Sequence, residues 1–322
     1  MGEPMQNCDN AARHEIGAPV KKYFVNPQSG LLRAGWRISA FVVIFMAITA
    51  AGMLGIRAIL GGLPKTSDLQ FTILAVTATI AVAIARKYLD RKSFTSLGLT
   101  FDKYAVLDVL YGIVNSALVM AGIYFAMLWT NLIEFQGFSG WMGSASPNLS
   151  LGVAVLPIVF AVIYKLAIVA WWEELVFRGY IFQNLVAGVG LMWSVVISSL
   201  VFGLIHASNP DATILSSLLI ALITPQLIYA YLKTGQLWMP IGLHLGWNFF
   251  QASVFGFAAS GMKSPSLISQ SPVGPEWLSG GAFGAEGSVL IIPFTILSLF
   301  LIHYWVRATR QPGQKLFEPI NK

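Results

Sequence analysis

Residues 151–178 read LGVAVLPIVFAVIYKLAIVAWWEELVFR. Up to Trp172 the run carries one charge, Lys165, and it then closes on Glu173, Glu174 and Arg178. An apolar stretch of about 20 residues matches the hydrocarbon thickness of a bilayer. In lipid every backbone N–H and C=O needs a partner within the protein, so only helices and closed barrels span. The run is continuous rather than alternating, which predicts a transmembrane helix. Its end places ionisable groups at membrane depth, where they are costly and usually functional.

Runs of the same kind recur at 37–60, 69–86, 105–131, 190–207, 212–232, 238–258 and 287–306. With 151–178 they predict an all-α polytopic membrane protein of about eight transmembrane helices. Composition agrees: 56% of residues are hydrophobic and 11% are charged, against roughly 25% charged in a soluble domain. So few charges could not cover a soluble surface of this size. Residues 1–36 read as a polar tail, 37–307 as the membrane domain and 308–322 as a second tail. The first apolar run has no short cleavable leader before it and is expected to be retained. One cysteine, Cys8, excludes a disulfide within the chain.

The net charge of +6 does not point to nucleic acid, because the basic residues gather at the ends of apolar runs. Lys21, Lys22, Arg33 and Arg37 precede the first run, and Arg86, Lys87, Arg91, Lys92 and Lys103 separate the second from the third. Lys233 follows the sixth run, and Arg307, Arg310 and Lys315 follow the eighth. Loop 132–150 has no Lys or Arg, and loop 259–286 has only Lys263. The positive-inside rule therefore predicts a multi-pass cell-membrane protein with both termini cytosolic.

Three stretches place polar chemistry in the apolar runs: Trp171–Tyr180, Phe202–His206 and His244–Asn248. Glu174 and Arg178 are four apart and share a helix face, so they can pair. Glu173 is turned by about 100° from Glu174 and must face another partner. Phe202 and His206 share a face, as do His244 and Asn248. One arginine compensates one carboxylate, and the other stays uncompensated unless water or a histidine reaches it. Gly188-Val189-Gly190 lies midway between Glu173 and His206. A turn there would make an antiparallel pair that sets the two at one level. Arg178 is then either submerged beside Glu174, or the fifth helix is tilted or broken.

Plainer readings remain open. Glu174–Arg178 alone is more often a structural ion pair, and His244–Asn248 could be an interhelical clamp. A proton-coupled transporter or a non-catalytic membrane scaffold would also bury such groups. For a hydrolase, Glu173 would activate a water as general base. His206, His244 and Asn248 would bind that water or the oxyanion. No Gly-x-Ser-x-Gly elbow or intramembrane cysteine offers a nucleophile.

The three motifs in this order resemble the CAAX protease and bacteriocin-processing family, also called the Abi family. Its pattern of Glu-Glu-x-x-x-Arg, Phe-x-x-x-His and His-x-x-x-Asn is filled by Glu173, Glu174 and Arg178, by Phe202 and His206, and by His244 and Asn248. The likeness covers about 157–257, with Ser96–Leu99 and the glycine-rich Gly280–Gly287 stretch as further points. It implies an eight-helix fold with a polar intramembrane cavity open to the cytosolic side. It also implies endopeptidase activity on a membrane-associated peptide or protein, either lipidated or carrying a leader, or a role in bacteriocin immunity. The family is commonly called metalloprotease. His206, His244 and Glu173 could hold a divalent ion such as zinc, but no His-Glu-x-x-His is present, and the cofactor stays open.

Overall fold

The computed structural model describes residues 23–62, 67–138, 141 and 151–310. Residues 1–22 of the expected tail 1–36, residues 311–322 of the tail 308–322, and 139–150 of the loop 132–150 apart from Trp141 lie outside them. Helices account for each expected span: α1 (Ala34–Leu60), α2 (Ser67–Tyr88), α3 (Lys103–Trp129), α4 (Leu151–Glu173), α5 (Phe182–Val189), α6 (Leu191–His206), α7 (Ile214–Thr234), α8 (Trp238–Asn248) and, last, α10 (Ile291–Thr309). A short α9 (Glu276–Ser279) precedes α10. The chain is an all-α polytopic membrane protein. Among the described residues six helices are long and apolar enough to cross a bilayer. The eight expected spans need revision there: α6 is shorter, and α8 gives way after Asn248 to a π-helical stretch, Phe249–Val254.

The fourth expected span is longer than its apolar run. After Glu173 the helix continues through a π-helical stretch, Glu174–Ile181, and then as α5 to Val189. Such π segments are frequent at functional sites. Gly190, with φ of 80°, makes the expected turn into α6. The loops also hold structure that hydropathy does not report. Ile133–Phe138 (β1) pairs antiparallel with Ile268–Pro272 (β2), with an irregularity between Phe135 and Gly137.

Small residues set the helix spacing. At Gly112 of α3, a Cβ would lie 2.6 Å from the Leu243 nitrogen, and at Gly246 of α8 one would lie 2.8 Å from the Ile113 Cα. This close crossing runs parallel and carries Ser116 Oγ, which donates to the Leu243 carbonyl at 2.8 Å. Glycine contacts of this kind let backbones pack where lipid supplies no hydrophobic drive.

Successive long helices reverse direction. The ends at 34, 88, 103, 190, 235 and 309 therefore gather on one face, joined by Leu237 N donating to Gly98 O at 2.8 Å. Loops 130–138, 207–213 and 255–290 gather on the opposite face, joined by Asn209 Nδ2 donating to Ser260 O at 3.1 Å. A buried carboxylate knots the first face: Asp90 accepts from Arg37 at 2.8 Å, and from Arg86 at 2.9 Å and Asn184 at 3.3 Å.

Candidate active site

The helix that bears the two glutamates lies parallel to α2. Trp171 Nε1 donates to Thr79 Oγ1 at 2.9 Å, which sets Glu173 level with the middle of α2. Here the α-helix turns into π geometry, and the two carboxylates part. Glu174 is fully buried, whereas Glu173 keeps 13% of its side chain exposed. The expected pair forms: Arg178 Nη1 donates to Glu174 Oε1 at 2.9 Å, and both side chains are at 0% exposure. Arg178 is thus submerged, its guanidinium 3.9 Å from the centre of the Phe202 ring. That contact gives Phe202 a cation–π role.

α8 brings the third motif in from the other side. His244 Nδ1 lies 2.8 Å from Glu174 Oε1, the same oxygen that accepts from Arg178. His244 Nε2 lies 3.8 Å from Glu173 Oε2. That gap exceeds a hydrogen bond. Among the described residues Glu173 Oε2 is buried with no hydrogen-bond partner. His206, at the end of α6, bonds through Nδ1 to the Phe202 carbonyl at 2.7 Å. A carbonyl only accepts, so this Nδ1 carries a proton, and in the neutral ring Nε2 then holds the lone pair.

A cavity of about 270 Å³ collects these groups, lined by Glu173, Phe202, His206, His244 and Asn248 together. Every sequence-predicted site residue except Glu174 and Arg178 lines it. Those two stand behind His244 as its support. The cavity also reaches Ser208, Asn209, Ser260, Lys263 and Glu286 on the loops of one face. Glu286 was not foreseen as a site residue. Its Oε1 accepts from Trp247 Nε1 at 2.9 Å, and its Oε2 accepts from Ser260 N and Oγ, both at 2.7 Å. It thereby holds the loop at the cavity wall to α8. The glycine-rich setting of Glu286 is visible in sequence, but no spacing ties it to His244.

The three ligands that the resemblance allowed, His206, His244 and Glu173, line one cavity. Among the described residues no three His, Cys, Asp or Glu side chains converge as a ligand set. His244 Nε2 lies 3.8 Å from Glu173 Oε2, and the Nδ1 bond of each histidine leaves its Nε2 open, as in a ligand histidine, but among the described residues no third side chain of these types converges with them. A catalytic zinc usually takes three protein ligands.

The lining of the cavity sets two of the expectations against each other. The loop residues that line it lie opposite the ends of α1 and α10 nearest the termini, and none comes from 89–102 or 235–237. Cytosolic termini and a cytosol-facing cavity therefore cannot both hold.

Residues 154–250 match the family model described as Type II CAAX prenyl endopeptidase Rce1-like. All three motifs fall within the match. Neither the curated proteins nor the solved structures returned a match.

Proposed function

We propose that this chain, whose residues 154–250 match the Type II CAAX prenyl endopeptidase Rce1-like family model, is an intramembrane endopeptidase in which Glu173 activates the hydrolytic water. One observation carries the reading. A buried carboxylate oxygen without a protein partner faces a histidine 3.8 Å away, on the wall of a cavity. Burying such a group costs free energy, so it persists where something else satisfies it. A water does so and serves as the reactant.

The chain's own groups supply the steps. The water donates one hydrogen to Glu173 and the other to the lone pair of His206 Nε2. Its oxygen attacks the scissile carbonyl carbon as Glu173 takes the proton. The carbonyl oxygen becomes an oxyanion, which accepts from Asn248 Nδ2 and from protonated His244 Nε2. The C–N bond then breaks, and the leaving nitrogen takes the proton from Glu173. Glu174 acts on His244 as a triad aspartate acts on its histidine, fixing tautomer and ring orientation. Arg178 holds Glu174 in place for that task. No step runs through a metal. The substrate is a membrane-associated peptide or protein with an apolar stretch that the cavity walls can hold.

The test compares membrane peptides, by mass spectrometry, from cells carrying the wild-type chain or Glu173→Ala. Cleaved fragments that appear only with the wild type, beside intact precursors with the variant, support the reading. Identical peptide populations contradict it.

A further inference from the structure

We infer that the substrate reaches Glu173 from the extracytoplasmic face, so that the substrate class is an exported or outward-exposed peptide with an apolar stretch rather than a cytosolic lipidated C-terminus. This rests on the peptidase reading above for the word substrate, but not for the side of access.

Two independent observations meet here. The first is the cavity. From Glu173 at mid-membrane it runs past His206 at the end of α6 to Ser208, Asn209, Ser260 and Lys263. Ser208 and Lys263 are exposed, so this end communicates with solvent. Towards the other face the way is shut. There Leu237 N donates to Gly98 O at 2.8 Å, Tyr231 Oη to Leu97 O at 2.9 Å and Gln236 Nε2 to Asp102 at 2.9 Å. No loop residue from that closed face lines the cavity.

The second observation is charge. The closed face collects Arg33, Arg86, Lys87, Arg91, Lys92, Lys103, Lys233 and Arg307, while among the described residues the open face and the helix ends beside it carry Arg57 and Lys263, with Lys165 on the cavity wall. Basic residues near span ends mark the cytosolic side. The closed face is therefore cytosolic and the mouth extracytoplasmic. Walls of Leu166, Val169 and Ile205 would receive the apolar stretch of such a peptide.

The experiment has two arms in a Cys8→Ser background. In the first, Ser208→Cys and Gln314→Cys are treated with a membrane-impermeant maleimide on intact cells. We expect labelling of Ser208→Cys and none of Gln314→Cys. Labelling of Ser208→Cys confined to inverted vesicles would overturn the inference, whatever the activity. In the second arm, a water-soluble peptide with an apolar stretch is added to sealed vesicles of either orientation, each matched by Glu173→Gln vesicles. Glu173-dependent cleavage should occur in right-side-out vesicles and be lost in inverted ones. Cleavage confined to inverted vesicles overturns the inference and leaves the peptidase reading intact. The expected labelling, with no Glu173-dependent cleavage from either side, overturns the peptidase reading and the substrate class, while the side of the mouth stands.

Discussion

Two buried carboxylate clusters lie in this chain, and they are built on opposite terms. At Asp90, both oxygens are taken: Arg37 on one, Arg86 and Asn184 on the other. Arg86 also bonds to Ser96 Oγ and to Gln183 Oε1, both at 2.8 Å, and Gln183 reaches Tyr231. The knot ties α1, α2, α5 and α7, and none of its residues lines the cavity at Glu173. At Glu173 and Glu174, one oxygen of Glu174 accepts two donors, and an oxygen on each carboxylate has none among the described residues. Burial penalises both clusters alike. The first pairs both carboxylate oxygens within the protein and so holds helices together. The second leaves an oxygen on each carboxylate open, beside a space where a reactant fits. Unsatisfied charge next to a cavity marks function more sharply than burial of charge does.

The sharpest way to break this comparison is Asp90→Ala. It strands two buried guanidiniums, and removing one partner of a buried pair costs about 3–5 kcal/mol. The expected outcome is a large fall in melting temperature and in monodisperse yield. The fraction that remains folded should cleave at the wild-type specific rate. An unchanged melting temperature would deny the knot its structural role.

Arg178→Ala should cost roughly 3 kcal/mol in thermal unfolding, because it strands Glu174. Unlike Asp90→Ala, it should also lower the specific activity of the folded fraction, since Glu174 then orients His244 less well. A normally folded, fully active Arg178→Ala protein would sink that role. Asn248→Ala belongs wholly to the second cluster. Removing one oxyanion donor should cost on the order of 10²-fold in kcat, and the melting temperature should hardly move. Equal loss of stability and activity would instead make Asn248 an interhelical clamp. The smallest effect expected is none. Stripping the purified protein with a chelator should leave peptide cleavage unchanged. Loss on stripping with recovery on adding zinc, and one metal per chain by elemental analysis, would overturn the metal-free scheme.

The helices and the pairing of Glu174 with Arg178 were legible because both are local. A continuous apolar run such as 37–60 demands a helix in lipid, and a spacing of four places two side chains together. The turn at Gly190 was legible for the same reason. The conversion to π geometry at Glu174 was not, because it alters which way neighbouring residues face without altering composition. Nor was the shared Glu174 oxygen, since the approach of His244 depends on glycine contacts between α3 and α8. Glu286 and the strand pair of 133–138 with 268–272 are joined across long sequence separations, which periodicity does not report. The side on which the cavity opens depended on loops 207–213 and 259–264 meeting. The family resemblance pointed the other way on this, given the loop charges.

The central claim is that Glu173 supplies the base. The direct measurement is the cleavage rate and melting temperature of purified Glu173→Gln beside the wild type, on one peptide with an apolar stretch. The amide keeps the shape but cannot take the proton of the water. Cleavage should fall by at least about 10²-fold while the melting temperature holds. A Glu173→Gln protein that turns over at the wild-type rate would contradict the account.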